Sequence, residues 1–470
     1  MVYKIDINRV KKDYSMQDPT KKPTHKPKTK DKLIVPYNVR PLKEHKDIIK
    51  RFDECIGSFC CNLLNCNTTD FNKDSFFSDI INTVEFETEY EREKFKEIVS
   101  TVFFDKDNNI SKFHPKVLVY STTEEENIEM GNFLYDVLFD EKARYGKFIE
   151  DVFEDKTGNV LSDLILYKLP ELDINSERRE KQYKNFAEEI TSVFNEDLRY
   201  LLERNRDFCS QIVTLLKFYY VVYILRSVGN LHNMFHEKEV PPIYFTFDWE
   251  KVSKGRIGYE NGWCLVESAI TSLRSHEICL NILNCSEDGR KKYNYKEFKE
   301  LVSKMNDDEK LETWENLSEV VGMYETAIKD ENEYWKEYEF SSDTDDDILV
   351  EVEKLYGLIH NHHSKVTNAI ELSRRYYDWF FEFCRNNFLR NRGRNGMTLN
   401  LTEEYVILLT KLCIKDEQKV RLQYIIKELE RRGVYLDKDS RNRLIDFYQR
   451  LNVLEKKSDS GDALYVRTIL

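Results

Sequence analysis

The sequence predicts a mainly α-helical, multi-domain protein with only a few short strands. Three observations carry that class. The 470 residues include 15 Gly and 9 Pro, too few for a fold built on many tight turns. Hydrophobic residues reach 41% and aromatics 13%, enough apolar surface for proper cores, which excludes a disordered chain. From Lys43 onward, apolar residues recur at the three- and four-residue spacing of amphipathic helices.

The elements follow in order. Residues 1–42 form a basic arm. Its stretch 11–32 is rich in Lys, Pro and Thr and nearly free of apolar residues, so it reads as flexible or extended. Residues 43–240 read as a helical domain, opened by Ile48, Phe52 and Ile56 at four-residue steps. Within it, 116–121 looks like a short strand between Pro115 and a helix start at Thr122. Helices are expected over 148–166 and 177–203, the first interrupted at Thr157-Gly158-Asn159. Residues 208–228 are apolar on nearly all sides and predict a central core helix stopped by Gly229. Residues 241–340 continue this core. Pro241-Pro242 precede an aromatic strand at 243–249, and a glycine-containing loop at 254–262 leads into helices. Residues 341–347 read as an acidic linker. Residues 348–400 read as one long helix ending near Leu389, then a basic turn before the final module, 401–470. No repeat of 20–50 residues is visible, which argues against a solenoid.

The longest uncharged apolar run, 218–225, makes about 12 Å of helix, too short to cross a bilayer. The N-terminus lacks the apolar stretch of a secretory signal. The expectation is therefore a cytoplasmic protein with no membrane partner and ten reduced cysteines.

The net charge of −13 is unevenly spread. Residues 1–50 hold 14 Lys/Arg against 6 Asp/Glu, a net of +8. Residues 384–470 hold 18 against 12, a net of +6, which leaves −27 on residues 51–383. Two basic ends face either an acidic partner such as nucleic acid or the protein's own acidic middle.

Catalytic motifs do not emerge. Gly255, Gly258 and Gly262 are not followed by the Gly-Lys-Ser/Thr of a phosphate-binding loop. Cys55, Cys60, Cys61 and Cys66 have the wrong spacing for a zinc knuckle and read as helix packing. Asp343, Asp345 and Asp347 begin like a calcium loop, but Ile348 and Lys354 stand where Gly and Glu are required. His360, His362 and His363 lack a matching carboxylate and read as a helix face. No nucleophile elbow, zincin or kinase set is present. The reading assigns no catalytic residue, no metal and no cofactor.

The C-terminus carries the strongest signal. Thr402 caps a first helix to Cys413, a second runs 416–432 to Gly433, and Asp437 caps a third over 438–451. Two strand-like runs, 453–457 and 463–469, flank a Gly461-containing turn. Three helices then a hairpin is the plan of a winged helix, whose third helix enters the major groove. The candidate DNA contacts are Lys438, Arg441, Arg443 and Arg450 on that helix. Lys456, Lys457 and Arg467 on the hairpin join them, with Arg390, Arg392 and Arg394 in the preceding turn. Asp439 and Asp446 share the helix, and 401–470 has a net charge of only +2.

Residues 433–437 (GVYLD), 441–451 and 457–466 resemble the end of the DptG family of DNA phosphorothioation-dependent restriction proteins. Residues 244–254, with Asn261-Gly262-Trp263 after them, are similar to that family's middle region. The resemblance implies a subunit acting with DptF-like and DptH-like proteins on double-stranded DNA that lacks the phosphorothioate mark, in phage defence by restriction. It also implies that the NTP-driven and cleavage chemistry belongs to those partners. Tyr334, Trp335 and Tyr338, or Tyr376, Tyr377 and Trp379, are candidates for a partner-facing surface, with core packing the competing reading. The alternatives are a metal-dependent nuclease subunit and a winged-helix transcription regulator.

Overall fold

The computed structural model describes residues 3–16, 32–36, 52–67, 73–104, 110–121, 125–142, 145, 147–287, 291–329, 333–456 and 464–469. The protein is mainly helical, at 64% helix, with a few short strands. One continuous hydrophobic core runs from Tyr3 to Val466. At its centre lies the helix Asn205–Asn233, with sixteen buried side chains that include Phe218, Tyr219, Tyr220 and Tyr223. It overruns the expected stop, because Gly229 remains helical and lets Val240 approach its backbone where a Cβ would collide. By length and composition this helix would also suffice to cross a membrane, yet most of it is buried inside the fold.

Several expectations are corrected. Residues 115–121 are helical rather than extended: Pro115 sits at the first helical position, and the His114 side chain accepts from Lys116 N at 3.2 Å. The Glu188–Leu202 helix starts late. Buried Asp136 captures Arg179 at 2.6 Å and accepts from the backbone N–H groups of Gln182 and Tyr183, which holds that stretch non-helical. The turn at Gly158 is present, with φ +73°, and Asn159 caps the helix Val160–Lys168. The expected long helix from residue 348 is two, Asp347–Lys365 and Thr367–Asn387, broken at Val366, where β-branched residues favour extended backbone.

The described parts of the basic arm are anchored. Ile7–Asp13 is helical, Tyr3, Ile5, Val10 and Tyr14 are buried, and Asn316 bonds both backbone groups of Ile5. Leu33 and Ile34 donate their N–H groups to buried Glu277 at 2.7 and 2.8 Å. Most of the Lys/Pro/Thr stretch, and Ile48, lie outside the described residues. Of the aromatic candidates, Trp335, Tyr376, Tyr377 and Trp379 are buried and Tyr338 is half-buried, while the side chain of Tyr334 lies outside the described ones.

Strand content is small. Of the aromatic run 243–249, only Thr246–Phe247 (β1) forms a strand. It runs parallel to Met397–Leu401 (β3), which pairs antiparallel with Leu389–Asn391 (β2). The basic turn is thus a hairpin, closed by Gly393 and Gly396 at positive φ. The final segment has helices Glu403–Ile414, Leu422–Arg431 and Lys438–Arg450. The second is preceded by an unexpected strand, Lys419–Arg421 (β4). With Leu454–Lys456 (β5) and Leu464–Arg467 (β6) it forms an antiparallel sheet in the order β4-β6-β5. The hairpin turn at 457–463 lies outside the described residues.

Candidate nucleic-acid interface

The third helix of the C-terminal segment is set in place at its first turn. Asp437 accepts from Ser440 N at 2.9 Å, the expected N-cap. The same carboxylate receives Gly258 N and a bidentate Arg256 guanidinium at 2.6 and 3.0 Å. Arg256 also reaches Glu250 at 3.1 Å, and Ser440 Oγ donates to Glu250 Oε1 at 2.8 Å. Burial alone would raise the Asp437 pKa, but Arg256 and the two backbone donors hold it below the ordinary value. A close approach is needed at Gly258, where a Cβ would meet the Asp437 carboxylate at 2.9 Å.

Glu250 also ties in the basic hairpin. Arg392 donates to the Glu250 carbonyl at 2.8 Å and to the Phe247 carbonyl at 2.8 Å. It donates further to Thr246, Thr398 and Asn400. Trp249 continues this seam, stacked between Phe247 and Phe447 at 4.8 and 5.0 Å between ring centroids. The basic hairpin and the third helix therefore rest on one shared segment, 246–256.

The ten predicted cations separate by environment. Arg392 is spent on structure, as above. Arg441 is also engaged, donating to the Leu436 carbonyl and to Glu430, both at 2.9 Å. Arg443 pairs with Asp446 at 3.2 Å, both side chains 55% exposed, and Arg467 with Glu455 at 2.9 Å. Arg450 is exposed, lies over the rings of Trp249 and Phe447, and meets Glu403 at 3.8 Å. Lys438, Lys456, Arg390 and Arg394 are exposed and make no ion pair with the described residues. Lys457 lies outside those residues. The outward face of the third helix carries Asp439, Asn442, Arg443, Asp446, Gln449 and Arg450, all exposed and of balanced charge. Exposed pairs of this kind are worth less than about 1 kcal/mol, so a phosphate can compete for the arginines.

Sequence reasoning missed the groups that hold this surface. Arg432 is fully buried and bonds Asp197, Glu428 and the Leu412 carbonyl. Burial would pull its pKa down, but Asp197 overrides this and raises it, so the guanidinium stays charged. The only local hint was Glu428, four residues before Arg432 on the same helix face. Gly433 then closes the second helix with φ +80°, as Val434 N donates to Leu429 O and Gly433 N to Glu430 O.

Among the described residues, no three His, Cys, Asp or Glu side chains converge as metal ligands. Cys55, Cys60, Cys61 and Cys66 are buried, as are His362 and His363. No family model matches this chain, and no curated protein does either.

Proposed function

We propose that this protein is a non-catalytic DNA-binding or scaffolding subunit, with residues 401–470 working as a winged helix on duplex DNA. The observation that carries the reading is the sheet order β4-β6-β5 around three helices. It leaves the outer face of the third helix, with Arg443 and Arg450, open to solvent. Lys438, Lys456, Arg390 and Arg394 supply further exposed positive charge. Such contacts position a protein on the phosphate backbone and do not specify sequence.

The resemblance of 433–466 to the DptG family extends the proposal. The subunit would serve DptF-like and DptH-like partners in a cytoplasmic complex that restricts DNA lacking the phosphorothioate mark. The test is duplex binding by the full chain across a salt series. Affinity should fall steeply with salt, and replacing Arg443 and Arg450 by Glu should flatten the slope by about one per lost phosphate contact. Salt-insensitive binding, or an unchanged slope in that variant, defeats the DNA role. Co-purification with the DptF-like and DptH-like proteins tests the complex.

A further inference from the structure

A cavity of about 480 Å³ lies among the helices Trp263–Ile270 and Leu273–Leu283, the end of Asp347–Lys365 and the start of Thr367–Asn387. That volume falls in the range of small-ligand sites, about 300–1,000 Å³.

Ser275 lines the cavity, is 1% exposed, and its hydroxyl has no hydrogen-bond partner among the described residues. A buried hydroxyl left unmet is unfavourable, so a ligand that engages it relieves that cost. His363 lines the same wall. Its Nδ1 donates to the Ile359 carbonyl at 2.8 Å, so the neutral ring carries its acceptor at Nε2. Burial pushes the His363 pKa down to about 3 and also lowers that of His360, so this wall is uncharged at neutral pH.

Another wall is cationic. Arg374 is 59% exposed, its paired carboxylate Asp378 is as far as 4.0 Å, and the guanidinium lies 5.9 Å from the Tyr377 ring centroid. Among the described residues, Glu267 is the one acidic residue lining the cavity, and it is engaged by the Tyr377 hydroxyl at 2.5 Å.

We propose that this cavity binds a small phosphomonoester with a hydroxyl-bearing body of nucleoside size. Arg374 takes the phosphate, while Ser275 engages the body beside the uncharged His363 wall. The site is independent of the DNA-binding reading.

Cys264 makes the test direct. It lines the cavity and is the one exposed cysteine of the ten. Iodoacetamide alkylation of the native full chain therefore reports on this site. AMP, GMP, CMP and UMP are tested separately at millimolar concentration, beside adenosine and inorganic phosphate. At least one nucleotide should slow Cys264 alkylation about tenfold, with phosphate and adenosine clearly weaker. Arg374→Ala, at an exposed position, should abolish the protection, and the near-isosteric Ser275→Ala should weaken it about fivefold. The proposal is overturned by absent protection, by phosphate or adenosine matching every nucleotide, or by protection that either variant leaves intact.

Discussion

Arg432 and Asp197, 235 positions apart, form an ion pair closed to solvent, with both side chains 0% exposed and Nη2 to Oδ1 at 2.6 Å. Tyr219 of the central helix donates to the same carboxylate at 2.6 Å. The pair joins the end of the second C-terminal helix to the Glu188–Leu202 helix.

Removing one partner leaves the other charged and buried. Arg432→Met should therefore cost about 3–5 kcal/mol of unfolding free energy in urea denaturation. The double variant Arg432→Met with Asp197→Leu should recover part of that loss. If the double variant is as unstable as the sum of the single ones, the pair is not coupled as described.

Gly433 is constrained twice. Its φ is +80°, and a Cβ would meet Val222 Cγ1 at 2.7 Å. Gly433→Ala should lower stability by about 1–3 kcal/mol. Gly158, also at positive φ but with open space around it, should tolerate alanine better. Equal melting shifts for the two variants would contradict the role of the Val222 contact.

The basic hairpin separates structure from binding. Arg392→Ala removes donors to three side chains and two carbonyls and should cost at least about 2 kcal/mol. Arg394→Ala, at an exposed position, should stay within about 0.5 kcal/mol of the parent while weakening duplex binding. Thermal melts and anisotropy on the same preparations decide it. The reverse pattern would mean that Arg392 is the DNA contact.

Glu277 predicts a pH dependence. Burial raises its pKa from 4.5 to about 7, although Leu33 N, Ile34 N and Asn281 pull the other way. The folded state thus binds a proton more tightly than the unfolded chain. Its contribution is fully present below pH 4.5 and is lost as pH rises to about 7. Glu277→Gln should flatten stability against pH across that window. A slope unchanged from the parent would remove Glu277 as its source.

The amino-acid pattern alone determined what depends on neighbours a few residues apart. It placed the helical class, the core helix around 208–228, the caps Thr402 and Asp437, and the Gly433 stop. Each of these is set by local backbone chemistry or helical spacing, which the chain carries with it. The short strand β4 was not legible, because Lys419–Arg421 is defined by its pairing with Arg467 and Tyr465 rather than by its own residues. Nor was the fate of the individual arginines. Arg392, Arg394, Arg441 and Arg443 are equivalent as sequence; only tertiary packing consumed Arg392 in carbonyl contacts and left Arg394 in water. A charge is free or engaged according to which distant carbonyls and carboxylates the fold brings within about 3 Å, and that distance is a property of the packed chain.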